Sequence, residues 1–319
     1  MNPLQHWAFI KETGTLIGMR IMIYAYLLGG SSLSRIFLFP VIFFYFLFKP
    51  DLRKNSRGYL KRIRKKTEDL PKINLLLSFS HLWQFGASLI DKFAVWRGDI
   101  KLDHVNIHGY EYINELLSNK KGGVIAITHL GNFEVCSALS QSRQEFRLTV
   151  LQHTKHAEKF NFLLNKYKIK SIMEVLEVTD IGPQTAMKLS EKIGRGEFIA
   201  IAADRLPVNN PEASVTCNFF NQPADFPSGP YVLANILRVP LLLLICVKHK
   251  KQYRIYFEKI TDGGKISKDE RIDFTNKAVK VFAERLEDYT CRYPLQWFNF
   301  FNFWKKTNSS NKNFIEDEI

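Results

Sequence analysis

Between residues 21 and 48 the chain carries a single formal charge, Arg35, in an otherwise apolar segment that has to be hidden in lipid or against protein. It breaks into two apolar runs, 21–28 and 36–48, separated by Gly29-Gly30-Ser31-Ser32. Neither run reaches the roughly 18–20 residues that a helix needs to cross a bilayer, and Pro40 interrupts the hydrogen bonding of the second. The expectation is a membrane-anchoring helical segment over residues 1–50, a hairpin dipping into one leaflet, with one imperfect span as the alternative. A cleaved signal peptide fits poorly, because Lys11, Glu12 and Arg20 charge the first twenty residues and no small-residue cleavage site follows.

Directly after this segment come Arg53, Lys54, Arg57, Lys61, Arg62, Arg64, Lys65 and Lys66, with no acid among them. Alone, such a run reads as a solvated helix face. Beside an apolar anchor it is expected to rest on anionic headgroups at the cytoplasmic side. The whole chain of 319 residues has a formal charge of +14, so an acidic partner is expected: anionic lipid, an acidic carrier protein or nucleic acid. Nucleic acid is set aside, because the aromatic residues belong to the apolar runs and do not interleave with the basic ones as a base-stacking surface requires. Cys136, Cys217, Cys246 and Cys291 are widely spaced, without a CxxC pair or Cys/His cluster, so reduced thiols and no metal site are expected.

Residues 73–93 form a broad apolar helix that, with the basic collar, makes up a segment 51–100. From Val105 the pattern changes to short strands alternating with helices. Strands are expected at 105–107, 123–128, 148–151, 172–174 and 198–202, with helices at 110–117, 132–139, 158–167 and 184–193 between them. Residues 240–247 are nearly continuous in Leu, Ile and Val, as a central strand should be, and 252–257 alternate beside them. A short helix at 231–237 and a long one at 270–292 complete the chain's regular structure. The fold class is therefore α/β, a mixed and largely parallel sheet flanked by helices over residues 101–306, with the N-terminal helical membrane anchor ahead of it. Residues 307–319, rich in Asn, Ser and acids, read as a disordered tail.

Four blocks carry chemistry. In the first, strand 123–128 runs into His129-Leu130-Gly131-Asn132-Phe133-Glu134. A histidine and a carboxylate at this spacing, at a strand end and a helix start, can share a pocket in which the imidazole takes a proton from a hydroxyl. The plainer reading is a strand-capping histidine and a glutamate favoured by the helix dipole. Gly131 before the helix permits a tight turn and close backbone approach, and the free N–H groups from Asn132 to Glu134 would face a developing oxyanion. The second block, 198–205, is a strand ending in Asp204-Arg205, at the carboxyl end of the sheet where α/β ligands bind; a surface ion pair is its plain alternative. The third, 219–230, starts with Phe219-Phe220 and continues into a Pro/Gly-rich stretch, read as a loop with the two rings in the core or on the wall of an apolar groove. The fourth, 293–304, is an aromatic run that must pack in core, membrane interface or acyl groove.

Taken in order, these blocks resemble the bacterial lipid A biosynthesis acyltransferase family of the lysophospholipid acyltransferase superfamily, over roughly residues 7–304. His129 and Glu134 match the HxxxxD/E motif inside GGVIAITHLGNFE, Gly109-Tyr110-Glu111 a preceding G-x-E turn, and Asp204 the aspartate that ends a later strand, although the family often has Asp-Gln where this chain has Asp-Arg. Phe219 to Ala224 look like the FF-x-x-P-A loop, and Pro294 to Trp297 like the closing P-x-Q-W. The ending from Trp297 to Trp304 departs from the late acyltransferases of lipid A and looks more like members associated with aryl polyene and related lipid clusters.

The resemblance implies transfer of a fatty acyl group from a thioester, of acyl carrier protein or coenzyme A, to a hydroxyl of a membrane lipid or glycolipid at the cytoplasmic face of a bacterial inner membrane, without a cofactor. His129 would be the general base and Glu134 would fix its tautomer. Gly131, Asn132 and Arg205 would serve the oxyanion or a phosphate, while Asp204, Phe219 and Phe220 would line the substrate site. The alternative is a non-catalytic peripheral membrane or carrier-binding protein of the same fold.

Overall fold

A computed structural model describes residues 16–136, 139–140, 143, 145–152, 173–177, 183–207 and 210–304. In chain order its helices and strands are α1 (Leu16–Phe48), α2 (Pro50–Lys66), α3 (Leu75–Trp96), β1 (Val105–His108), α4 (Tyr110–Ser118), β2 (Gly123–Gly131), β3 (Leu148–Gln152) and β4 (Glu174–Glu177). They continue with α5 (Pro183–Gly194), β5 (Phe198–Ala202), β6 (Ser214–Phe219), β7 (Gln222–Pro227), α6 (Gly229–Leu237), β8 (Leu241–His249), β9 (Gln252–Thr261) and α7 (Arg271–Arg292).

The apolar segment is bent where its composition says it should be. Gly29 (φ −138°, ψ 18°) and Gly30 (φ 63°, ψ −156°) leave helical geometry and divide α1 into two arms. Only a residue without Cβ adopts the Gly30 conformation freely. Both arms pack on α3, through Tyr26 on Phe93 (ring centroids 5.0 Å apart) and through Leu38 and Ile42, which close over Gly86 so tightly that a Cβ there would lie 2.8 Å from Ile42 Cδ1. Their outer faces leave Tyr24, Leu28, Phe37, Phe44 and Phe48 exposed, and α3 adds Leu75 and Leu76. In α2 the spacing of Ser56, Tyr59, Leu60 and Ile63 buries one stripe and leaves most of the basic side chains outward. Arg53 turns back to the Phe46 and Leu47 carbonyls at the end of α1, and the run Arg64-Lys65-Lys66 sits at the negative end of its own helix dipole.

The main sheet has seven strands in the order β1-β9-β8-β2-β5-β3-β4. The strands β8, β2, β5, β3 and β4 run parallel; β9 is antiparallel to β8 and carries β1 parallel to itself. This is the mixed, largely parallel sheet expected. β2 and β8 are apolar at successive positions because both faces are covered. Val124, Ala126, Leu243 and Ile245 pack toward Phe282 and Leu286 of α7 and Tyr59 of α2, while Ile125, Ile127, Leu242 and Leu244 pack toward Ile113 of α4 and Phe146.

Some expectations change. Residues 214–227, whose later part was read as a loop, form the antiparallel hairpin β6–β7. Phe220 (φ 53°) and Asn221 (φ 58°) make its two-residue turn, and Pro223 and Pro227, which disguise β7 in the sequence, are tolerated because the hairpin has only two strands. The helix expected at 132–139 opens as a single 3-10 turn, Phe133–Val135. The helix expected at 158–167 and the tail 307–319 lie outside the described residues, as does part of the strand expected at 172–174.

Candidate active site

β2 and β5 run side by side, with Ile127 opposite Ala202. Extending that register by two residues brings His129 level with Asp204, although 75 positions separate them in sequence. The contact is a double one. The backbone N–H of His129 donates to Asp204 Oδ2 at 2.7 Å, and His129 Nδ1 lies 2.7 Å from Asp204 Oδ1. Trp297 Nε1 donates to the same Oδ2 at 3.0 Å. Asp204 is 2 % accessible and Trp297 1 %, whereas the His129 side chain keeps 35 % of its surface. An ionised, buried carboxylate next to Nδ1 requires the proton on Nδ1, which leaves Nε2 with a free lone pair.

The local electrostatics agree with that tautomer. Burial opposes the charge on Asp204, but the His129 ring, its two N–H donors and Arg205 outweigh it and hold the carboxyl below its ordinary range. Burial, with the Arg205 and Lys92 cations, pushes the His129 imidazole below 6.5 against the pull of Asp204. The balance favours the neutral ring over the imidazolium. Burial pushes the Arg205 guanidinium down to about 10; its Nη2 donates to the Phe298 carbonyl at 3.2 Å.

Glu134 does not occupy the place expected of it beside the imidazole. β2 continues past His129 to Gly131, and the 3-10 turn then directs Glu134 toward α3. There Oε1 pairs with Lys92 Nζ at 2.6 Å and Oε2 accepts from Trp96 Nε1 at 3.1 Å. Two of the N–H groups expected at an oxyanion hole are occupied: that of Gly131 donates to the Gln296 carbonyl (2.8 Å) and that of Asn132 to the Cys246 carbonyl (2.7 Å). Gly131 is required by the close approach itself. At φ 76° a Cβ would lie 1.9 Å from the Cys246 oxygen. Phe219 and Phe220 are buried in an aromatic cluster behind the site, with Phe219 5.5 Å from Trp297 centroid to centroid. Through Trp297 they pack against the indole that holds Asp204.

The segment Gln296-Trp297-Phe298 closes the site. It lies against the end of β2, with Gln296 O accepting from Gly131 N–H and Phe298 N–H donating to His129 O at 3.1 Å, while Trp297 bridges to Leu130. The Gln296 amide grips both backbone groups of Lys248, at 2.8 and 2.7 Å. Beneath it, His81 of α3 lies 3.0 Å from the Trp297 carbonyl through Nε2 and 3.0 Å from Ser56 Oγ of α2 through Nδ1. The carbonyl only accepts, so Nε2 carries the proton. Sequence reasoning placed Trp297 in the closing aromatic run and in a family-like block, without a role at the histidine, and Lys92, Trp96 and His81 not at all; nothing in the helical pattern of 75–96 separates these from packing residues.

No curated protein sequence matches the chain. The family model for bacterial lipid A biosynthesis acyltransferases matches residues 75–306, from the start of α3 to just past the aromatic segment that closes the site, and the chain belongs to that family.

Proposed function

We propose that the protein transfers a fatty acyl group from an acyl thioester to a hydroxyl of a membrane lipid, with His129 as general base. The observation that carries this reading is the His129–Asp204–Trp297 arrangement: a half-exposed, neutral imidazole whose Nδ1–H is held by a buried carboxylate. Nε2 accepts the proton of the acceptor hydroxyl as its oxygen attacks the thioester carbonyl. Asp204 keeps the ring oriented and stabilises the imidazolium that forms. Collapse of the tetrahedral intermediate breaks the C–S bond, and the proton on Nε2 goes to the departing sulfur. The products are an ester and a free thiol, and no acyl-enzyme is needed because the thioester is already activated.

With the Gly131 and Asn132 N–H groups engaged, the oxyanion falls to Arg205, whose charge already acts on the His129 ring. Glu134 takes a supporting part by neutralising Lys92 beside the same ring. The exposed apolar surface of α1 and α3, with the outward basic face of α2 next to it, suits a protein resting in one leaflet at the anionic cytoplasmic face of a membrane. The basic face also suits an acidic carrier protein or the phosphates of coenzyme A as donor.

The test is mass spectrometry of total lipids from cells carrying the wild-type protein or His129→Ala, with transfer from an acyl thioester assayed on the purified proteins. Acylated lipid is expected only with the wild type. Normal transfer by a folded His129→Ala protein would sink the proposal.

A further inference from the structure

Beyond the turn that follows His129 there is a cavity of about 350 Å³ between the anchor, α3 and the ends of β8 and β9, with Gly131 in its wall. It is large enough for a small polar headgroup. Its charges come from three separate elements: Arg35, the only formal charge between residues 21 and 48; Asp91 of α3; and Lys248 of β8 with nearby Lys250. Asp91, 4 % accessible, is gripped by Lys248 Nζ (2.5 Å) and the Tyr253 hydroxyl (2.5 Å). Arg35 Nη2 stands 3.6 Å from it, beyond a hydrogen bond. Arg35 Nε is shielded from solvent and has no hydrogen-bond partner. The cavity wall thus carries three cations to one carboxylate, and one of those cations, Arg35, holds an unmet buried donor.

A structural ion pair alone would not leave that surplus. An arginine in an apolar hairpin is costly to place and is expected to serve a polar partner. The fork of a guanidinium, with a lysine across a cavity, is a usual arrangement for a phosphate. We infer that this cavity holds a phosphate group of one of the two substrates, received between Arg35 and Lys248. The inference rests on the acyltransferase reading for its substrates. The phosphate belongs either to the headgroup of an acidic acceptor lipid or to the pantetheine arm of the donor. In both cases the site sets how far the reacting group reaches toward His129.

The test uses the full-length protein in detergent micelles, titrated calorimetrically with glycerol 3-phosphate as headgroup probe and with 4′-phosphopantetheine as donor probe. Wild type is compared with Arg35→Gln, Lys248→Gln and Arg35→Lys. Arg35→Gln and Lys248→Gln are expected to weaken one probe about tenfold, the loss of one charge-assisted contact, and Arg35→Lys to restore part of it. Loss confined to glycerol 3-phosphate assigns the site to the acceptor; loss confined to phosphopantetheine assigns it to the donor. Unchanged affinity for both probes in a folded Arg35→Gln protein overturns the inference. Should Lys248→Gln fail to fold, Arg35→Gln decides, because the Arg35 side chain is 41 % accessible and makes no hydrogen bond to Asp91. Binding does not require turnover. If phosphate binding depends on Arg35 but the wild type transfers no acyl group, the acyltransferase reading fails and the site stands.

Discussion

Asp204→Asn is the substitution that most directly interrogates the site. In the wild type, Oδ2 accepts from the His129 backbone N–H and from Trp297 Nε1, and Oδ1 faces His129 Nδ1. An asparagine fits the same space, but its single oxygen is claimed by the two fixed donors. Its NH2 group then points at Nδ1, which must turn acceptor, and the ring proton moves to Nε2. The ring stays in place and loses the lone pair that takes the hydroxyl proton. A comparable tautomer reversal in a serine-protease triad costs about 10⁴ in turnover. With Asp204 also lost as the counter-charge to imidazolium, a loss of about 10³–10⁴ is expected, or roughly 4–5.5 kcal/mol of transition-state stabilisation. The assay follows labelled acyl group from a thioester into extractable lipid. A melting curve accompanies it, with only a modest shift expected because both Oδ2 donors remain satisfied. Asp204→Asn activity within tenfold of wild type would refute the assignment of Asp204 as the partner of the base.

Other outcomes follow from the same geometry. Glu134→Ala strands Lys92 and should cost activity, and Lys92→Met in the same chain should recover part of it; the assay above detects this, and an additive double variant would contradict an indirect role for Glu134. Gly131→Ala drives a Cβ against the Cys246 carbonyl at a left-handed φ and should destabilise the protein by about 2–4 kcal/mol, read by thermal unfolding. Because burial and Arg205 depress the His129 pKa, the acid limb of kcat/KM should lie below 6.5, and Arg205→Gln should move it upward; a limb at or above 6.5 in the wild type would count against that electrostatic account. Burial holds His81 at about 4, so the unfolded chain binds the proton better. Its contribution of roughly 3 kcal/mol is present above pH 6.5 and is lost as the pH falls toward 4, a slope in melting temperature that His81→Gln should flatten. Phe44→Asp with Phe48→Asp, on the exposed face of α1, should shift the protein from floating vesicles to the soluble fraction.

Strand β2 could be read from the chain because an unbroken apolar run between a glycine pair and a histidine has few other homes, and the break in the anchor because Gly29-Gly30 announces it. What decided the site lay in register. His129 and Glu134 are close in sequence, and that closeness misled: two further residues of strand and a 3-10 turn carry the glutamate to Lys92. The partner Asp204 arrives through the adjacency of β2 and β5, which no local pattern encodes. The same holds for Trp297, whose role depends on a backbone pairing with Leu130 across 167 positions. The β6–β7 hairpin was hidden because its prolines are signals of a loop and nothing in a phenylalanine marks Phe220 as a left-handed turn residue.

The clamp of Gln296-Trp297-Phe298 on the end of β2 also orders events during synthesis. A ribosome delivers His129 before Asp204, and Asp204 well before the residues that hold both in place. Until they emerge, the Asp204 carboxylate lacks its indole donor and the Gly131 and His129 backbone groups lack their partners. The tautomer that Asp204 imposes on His129 is thus locked only when an indole made 93 positions after that carboxylate closes on it.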